Sequence, residues 1–219
     1  MSLFSKGAGI GRKALLLSAH TDDCEIGMGG TIARLIEAGY EIRWLVFCNA
    51  WQSLPEGLEK DTLIHEQKAA AKALGIPQEN LEIFDIPVRL FPQYRQEILE
   101  LLVKEGRATQ PDLVFCPSLQ DRHQDHLTLA QESERAFKRK TLLGYLLPWN
   151  ISHAIHNCHV EISESQYDTK MAGLECYVSQ SHRQYFQGDA VRTILKSNGL
   201  TSGMAMSEAF EVIRLNQPL

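Results

Sequence analysis

Two short polar segments of this sequence contain side chains that could do chemistry together. The first holds His20, Asp22 and Asp23 directly after an apolar run, and the second holds His123 and His126 much later in the chain. Imidazole and carboxylate are ordinary zinc ligands, and a catalytic zinc takes three protein ligands and leaves one position for water. Adjacent carboxylates repel each other in a small dry space unless a cation lies beside them. The pattern predicts a divalent metal site with ligands from both segments.

The elements that must position these segments alternate between strand and helix patterns. Strands are expected at 13–18, 41–50, 81–87, 113–116, 141–150, 153–162 and 207–215, and helices at 31–38, 58–74, 92–104, 164–177 and 190–197. This alternation predicts parallel strands with helical crossovers, and such sheets bind ligands beyond the carboxyl ends of their strands. Both polar segments follow such ends, so we expect them at the same edge. The fold class expected is α/β, a Rossmann-like three-layer sandwich with a mostly parallel sheet.

Composition limits the class of protein. With 219 residues, 44% of them hydrophobic, the sequence predicts one domain over 1–219 and no second domain. A net charge of -5 argues against a nucleic-acid partner. No stretch is long and apolar enough for a membrane span or a signal peptide. Five cysteines without a CxxC pair favour neither a disulfide framework nor a cysteine zinc site, which favours the cytoplasm.

Several motifs together are similar to a known family. "AHTDD" followed by "GG", with "HQDH" later, resembles the A-H-P-D-D and H-x-D-H signatures of the zinc-dependent N-acetylglucosaminyl deacetylases of the PIG-L/LmbE-like family. "HEQKAAAKALGI", "KMAGLECYVSQ" and "SEAFEVIRL" resemble further segments of that family. "VRLFPQYRQEIL" and "LGYLLPWN" resemble a subgroup associated with bacterial surface-polysaccharide gene clusters. The resemblance therefore covers most of the chain.

The resemblance implies a reaction and assigns roles to residues. The reaction is hydrolysis of the N-acetyl amide of an N-acetylhexosamine-type sugar, with one zinc ion as cofactor. Free amine and acetate are the products. Asp125 is expected to orient His123, raise its pKa and keep it charged near neutral pH. The implied roles are zinc ligands His20, Asp23 and His126, general base Asp22, general acid His123 and orienting residue Asp125.

The sequence departs from the family pattern at two positions. Thr21 stands where the family usually has proline, which leaves the ligands unchanged. Leu63 stands where many members carry an arginine that holds the substrate or polarises its carbonyl. We expect Arg89 or Arg95 to replace that arginine, because both follow the carboxyl end of a predicted strand.

Other interpretations of the sequence stay open. The first polar segment could be a turn that caps the next helix, and a lone HxxH is weak evidence for a metal site. A phosphoester hydrolase with two metal ions and a sugar- or metal-binding module without turnover are the rival functions. His153, His156 and His159 do not converge on a strand, so we expect substrate contact, packing or a subunit interface there. Members of the family often form homo-oligomers, but this sequence sets no number.

Three glycines follow the carboxylates of the first segment and widen the backbone conformations that it can adopt. Gly27, Gly29 and Gly30 follow the carboxylates after a few residues. They permit positive φ and a close approach of the backbone to a ligand.

Overall fold

A central sheet runs through the protein in this computed structural model, which describes residues 4–151, 153 and 155–216. Within these residues the sheet has seven strands. They are β1 (Lys13–His20), β2 (Glu41–Cys48), β3 (Leu81–Ile83), β4 (Leu113–Pro117), β5 (Thr141–Tyr145), β6 (Cys158–Glu161) and β7 (Ser207–Arg214).

The strand order is β3-β2-β1-β4-β5-β7-β6. The five strands from β3 to β5 in this order pair in parallel, and β7 is antiparallel to both of its neighbours. The direction of winding reverses between β1 and β4, and a crevice opens at the carboxyl ends of strands at such a point. The expected α/β class with a mostly parallel sheet is confirmed, and both polar segments leave the strands at this crevice.

The α-helices of the described residues are α1 (Asp23–Ala38), α2 (Thr62–Ala73), α3 (Arg95–Thr109), α4 (Gln124–Ala136), α5 (Glu164–Leu174) and α6 (Gly188–Ser202). α1 and α2 both pack on α5, and α3 packs on α4. α6 packs on β6 and β7. None of the described helices is long and apolar enough to cross a membrane.

β1 is buried along most of its length. Leu15, Leu16 and Leu17 have no exposed surface, so both faces of the strand are covered, as its continuous apolar run predicts. Ser18, near its end, accepts a hydrogen bond from the Trp44 indole over 3.0 Å. A rigid strand therefore carries the first polar segment.

The glycines of α1 do not use the positive φ that glycine permits. None of Gly27, Gly29 and Gly30 has positive φ, and all lie inside the helix, which begins earlier than predicted. Close packing explains them, because a Cβ on Gly27 would lie 2.6 Å from the Tyr145 ring and one on Gly30 would lie 2.9 Å from Ile162.

The same helix is kinked at Met28, whose φ of -151° is not helical. The kink frees backbone N–H groups of Gly30 and Thr31, and both donate to the buried Glu208 carboxylate over 3.0 and 2.6 Å. Lys170 pairs with the same carboxylate over 2.6 Å. Glu208 thus caps the second half of α1 from a strand at the far side of the sheet.

Three predicted strands are at least four residues shorter in the structure than the sequence suggests. The strand expected over 81–87 ends at Ile83, and the strand expected over 141–150 ends at Tyr145. The segment predicted as a strand over 153–162 pairs only at Cys158–Glu161, and Ala154 within it lies outside the described residues. Outside the ladders these segments differ in burial, since Ile86 packs in the core whereas Ile155 is exposed.

Candidate metal centre and cavity

The first polar segment turns sharply at the end of β1. Asp22 adopts a left-handed conformation with φ of 82°, and Asp23 is already the first residue of α1. The Asp22 N–H donates to the Tyr177 hydroxyl over 3.1 Å, and the His20 N–H donates to the Asp23 carboxylate over 2.8 Å. Positive φ at a non-glycine residue costs free energy and persists where the surroundings enforce it. The turn therefore points the two adjacent carboxylates in different directions.

The second polar segment forms the start of α4. His123 is the N-cap residue, so His126 lies on the first turn and is 3% exposed. Asp121 organises this turn, because one of its oxygens accepts from the His123 N–H and the other lies 2.8 Å from His126 Nδ1. This local geometry leaves Nε2 of His126 facing the end of β1.

The two segments meet at three side chains. His20 Nδ1 lies 3.0 Å from His126 Nε2. The Asp23 carboxylate oxygens lie 3.4 Å from His126 Nε2 and 3.8 Å from His20 Nδ1. Ligand atoms around a tetrahedral zinc lie about 3.3 Å apart, given bonds of about 2.0–2.1 Å. These two nitrogens and one carboxylate form a donor set of the size and chemistry that a zinc ion requires.

A second, overlapping set replaces the carboxylate by a third imidazole. Ligand atoms of His20, His123 and His126 all lie within 4.8 Å of one another. His123 Nδ1 accepts the Asp125 backbone N–H over 3.2 Å, and the Asp23 carboxylate lies within 3.8 Å of both other ligands. Two overlapping donor sets therefore converge at this point.

Each of the two shared histidines has a carboxylate on its other ring nitrogen. His20 Nε2 lies 2.9 Å from Asp125, and His126 Nδ1 lies 2.8 Å from Asp121. Such carboxylates fix the tautomer and the ring orientation of metal-binding histidines. Burial alone would lower the pKa of His126, but Asp23 and Asp121 together raise it.

The expected pairing of the Asp125 carboxylate with His123 is wrong. The carboxylate of Asp125 accepts instead from His20 and from the backbone N–H groups of Arg89 and Phe91. Burial alone would raise the pKa of Asp125, but these hydrogen bonds lower it. The pKa of His123 is lowered rather than raised, by burial and by the neighbouring imidazoles. Asp125 contacts His123 only through its backbone N–H, which leaves the His123 hydrogen on Nε2.

Asp22 is half-buried and lies among other acidic side chains. Burial, and then the charges of Asp23 and Glu25, raise the pKa of Asp22 well above its ordinary value, and the nearby Arg183 opposes this. The Tyr177 hydroxyl, which holds the Asp22 backbone, donates to Glu25 over 2.7 Å. Burial raises the pKa of Glu25 to about 7. The hydrogen bonds that link Asp22 through Tyr177 to Glu25 therefore hold the strained turn in place.

A cavity of about 260 Å³ opens above the three converging side chains. Its wall includes Asp22 and His123 together with Leu63, the position at which a leucine replaces the family arginine. Two arginines, Arg89 and Arg183, also line it. Ligand pockets of this kind place a few polar groups around a small concave space.

The two arginines predicted from the sequence are separated by the fold. Arg89 has φ of 67° and lines the cavity, where its guanidinium donates to Ser53. Arg95 lies at the start of α3, pairs with the buried Glu132 over 2.6 Å and is not among the cavity residues. The structure therefore brings Arg89 to the site and does not bring Arg95.

An aromatic pair forms one rim of the cavity. The Trp149 and Tyr185 rings stack with centroids 4.0 Å apart and an angle of 18° between planes. Trp149 keeps 40% of its surface exposed, so one apolar face is available beside the polar cluster.

The three later histidines do not join this centre. His156 lines a neighbouring apolar cavity of about 430 Å³, and its ring lies 6.2 Å from that of His159. His159 Nδ1 contacts the Ser207 hydroxyl over 3.2 Å. Among the described residues, the single group of three or more potential metal ligands is the one at 20, 123 and 126.

Sequence reasoning missed three residues of the site. Asp121 could have been found, because it lies in the same polar segment and a metal-binding histidine usually has a hydrogen-bond partner on its other ring nitrogen. Tyr177 lies far along the chain from both polar segments, so its contact with Asp22 depends on the fold. Arg183 follows it in the chain by six positions and gave no signal, since nothing local distinguishes it from a surface arginine.

Comparison with known proteins gives a family match and several relatives. The family model described as "PIG-L: GlcNAc-PI de-N-acetylase" matches residues 15–137. Diacetylchitobiose deacetylase of Thermococcus kodakarensis is 26% identical over 223 residues, covering 92% of this chain and 83% of the relative. 4-Oxalmesaconate hydratase of Pseudomonas putida is 33% identical over 203 residues, covering 78% and 75%. A solved structure, the conserved protein TT1542 of Thermus thermophilus, is similar in fold, with a TM-score of 0.75, 22% identity and 94% of each chain covered.

Proposed function

Because this chain belongs to the PIG-L family, we propose that it is a zinc-dependent hydrolase that removes the N-acetyl group from an N-acetylhexosamine-type sugar. The observation that carries this proposal is the convergence of His20 Nδ1, His126 Nε2 and the Asp23 carboxylate beside Asp22. The deacetylase among its relatives supports the reaction class, since that protein is named for an N-acetylated sugar.

The proposed zinc ligands are His20, Asp23 and His126. Two imidazoles and one carboxylate, each imidazole held by an outer carboxylate, are a donor set typical of catalytic zinc. When bound, zinc acts as a Lewis acid on a carbonyl oxygen and lowers the pKa of water. The chain itself supplies the positioning and the proton transfers.

Asp22 is the proposed general base. Its left-handed backbone turns its carboxylate away from the ligand Asp23 and into the cavity. It takes a proton from water as the water oxygen attacks the acetyl carbon. When the C–N bond breaks, the same carboxyl group returns that proton to the departing nitrogen, because an amide nitrogen leaves poorly without one.

His123 is proposed to stabilise the negative charge that develops on the acetyl oxygen. Its Nδ1 is occupied by the Asp125 N–H, so Nε2 is its free hydrogen-bond donor at the cavity. A donor already in place at that oxygen is worth several kcal/mol in acyl transfer, about 2.7–4 kcal/mol in one measured enzyme. In this assignment His123 donates a hydrogen bond to the acetyl oxygen, and Asp22 is the acid that protonates the departing nitrogen.

The exposed face of Trp149 is proposed to pack on the sugar ring. The C–H face of a pyranose is apolar and matches the open face of the Trp149–Tyr185 stack. This contact would hold the ring at the rim while its N-acetyl group reaches the polar cluster.

The experiment that tests the function is an assay of acetate release from a panel of N-acetylated sugars and nucleotide sugars. We expect release by the zinc-loaded protein, loss on chelation and recovery on return of zinc. Asp22→Asn should abolish release while zinc remains bound. Acetate release that survives complete zinc removal would refute the metal-dependent mechanism.

A hydratase is the second candidate, because the hydratase from Pseudomonas putida is a relative at 33% identity. Water activation by the same cluster could serve addition to a carbon–carbon double bond. The loss of ultraviolet absorbance of a conjugated enol carboxylate measures that reaction directly. Absorbance loss without any acetate release would favour the hydratase.

Three broader properties are also proposed. One domain spans residues 1–219, the protein works in the cytoplasm, and it can form a homo-oligomer. Cys24, Cys48 and Cys116 are free and buried, which suits a reducing compartment. Light scattering of the purified protein measures its oligomeric state.

A further inference from the structure

Two guanidinium groups of the cavity have no carboxylate partner within 4.0 Å in the described part of the chain. Arg183 donates to the Tyr185 hydroxyl over 2.5 Å, and Arg89 donates to the Ser53 hydroxyl over 3.3 Å. Each of these contacts is to a neutral oxygen and uses one of the five N–H donors of an arginine. Both side chains therefore reach the cavity with donors to spare and with their charge uncompensated by an ion pair.

Ten other arginines lie outside the wall of this cavity. Five of them pair with a glutamate: Arg43, Arg95, Arg135, Arg192 and Arg214. A charge held at a cavity without such a partner is available to a ligand, and arginine is well suited to carboxylate and phosphate because its planar fork matches their oxygens.

The backbone holds one of these arginines at some cost. Of the four non-glycine residues with positive φ in the described chain, Asp22, Ala50 and Arg89 all line the cavity. At Arg89 the N–H donates to Asp125 over 2.6 Å and the carbonyl accepts from Gln124. Strain of this kind concentrates at functional sites. The backbone thereby anchors Arg89 to the metal centre through Asp125.

We infer that the substrate carries an anionic group, a phosphate or a carboxylate, that Arg89 and Arg183 bind at the cavity. The inference rests on the proposed function and narrows its substrate class to a charged N-acetylated sugar. Neutral sugars would leave both guanidinium groups without a strong acceptor, in a cavity that also contains Asp22 and Asp23. With the anion bound, the two guanidinium groups would pair with a charged oxygen acceptor in place of neutral hydroxyls.

The test compares sugars that differ only in charge. The panel is N-acetylglucosamine, its 1-phosphate, its 6-phosphate and N-acetylglucosaminuronic acid, assayed with the zinc-loaded protein. We expect kcat/KM for at least one charged sugar to exceed that of neutral N-acetylglucosamine by about tenfold or more. The phosphate and uronate arms distinguish the two sources of negative charge. Equal or lower kcat/KM for every charged sugar would overturn the inference.

Variants connect any preference to these two side chains. Arg89→Gln and Arg183→Gln should each reduce the charged-to-neutral ratio of kcat/KM by about tenfold, and the lysine variants should retain part of it. Arg107→Gln, on the exposed side of α3, is the matched control and should keep the full ratio. A ratio unchanged in both glutamine variants would refute the assignment. Thermal unfolding of each variant establishes that it is folded.

A binding measurement separates this inference from the proposed reaction. Calorimetric titration of zinc-loaded Asp22→Asn protein with the same sugars reports affinity without turnover. Tighter, arginine-dependent and salt-sensitive binding of a charged sugar supports the inference even if no sugar is deacetylated. Acetate release from neutral and charged sugars alike, with equal affinities, supports the reaction and refutes the anion site.

Discussion

His20 Nε2 lies 2.9 Å from the Asp125 carboxylate, a contact between residues 105 positions apart in the chain. The contact ties the end of β1 to the first turn of α4. Because the same carboxylate also accepts from the Arg89 N–H, it joins three separate loops at the proposed metal centre. Removing the charge of Asp125 should therefore weaken metal binding more than it lowers the stability of the fold.

Asp125→Asn is expected to weaken zinc binding by about 10–100-fold, the usual effect of removing the carboxylate behind a metal-binding histidine. Competition with a chromogenic chelator measures the zinc Kd. Asp168→Asn, at an exposed position of α5, is the matched control and should bind zinc normally. Normal zinc affinity in Asp125→Asn would mean that His20 does not need this partner.

Zinc should stabilise the folded protein, because the ligands come together only in the native state. A ligand in thousandfold excess over its Kd stabilises by about 4 kcal/mol. We expect the Tm to rise with zinc and to fall again with chelator, and we expect no rise in the double variant His20→Ala/His126→Ala. A rise that persists in the double variant would place the zinc elsewhere.

Tyr177→Phe should lower kcat and leave the zinc Kd unchanged. The hydroxyl accepts the Asp22 N–H and donates to Glu25, so its loss leaves the Asp22 N–H without its acceptor and leaves Gln67 as the remaining donor to that Glu25 oxygen, at a cost of about 1–3 kcal/mol. The strained turn that aims Asp22 would relax. Tyr94→Phe, away from this chain of hydrogen bonds, is the control. An unaltered kcat would show that the turn holds without the hydroxyl.

Lys170→Met should destabilise the protein by about 3–5 kcal/mol, because it leaves the charge of Glu208 buried without a positively charged partner. Urea unfolding measures the loss. The double variant Lys170→Met/Glu208→Leu should recover only part of it, since Glu208 also caps Gly30 and Thr31 of the kinked helix. Full recovery would show that the cap contributes little.

Trp149→Ala should raise KM for the sugar substrate several-fold with a smaller change in kcat. The side chain stands at the rim and stacks on Tyr185, so its loss removes apolar contact area and leaves the catalytic cluster in place. Steady-state kinetics separates the two constants. Phenylalanine at 149 keeps an aromatic face and should restore most of the affinity. An unchanged KM in the alanine variant would exclude ring stacking.

Much of the fold follows from local patterns in the sequence. The apolar run before His20 predicts a strand buried on both faces, and alternation of strand and helix patterns predicts a mostly parallel sheet; the structure confirms both. Helix boundaries were less accurate. α1 begins at Asp23 rather than eight residues later, because three glycines that favour a loop in isolation serve close packing here.

The sequence by itself determined which residue types stand at the ends of β1 and β4, and hence that the two polar segments would meet, while the family resemblance selected His20, Asp23 and His126 as the expected ligands. Spacing within one turn and the common edge of parallel strands are short-range or topological properties, so they can be inferred without coordinates. The tertiary structure alone decided that Asp125 serves His20, that Arg183 reaches the cavity and that Arg95 does not. Those outcomes depend on the relative placement of separate loops, which packing across the whole core sets and no local pattern encodes.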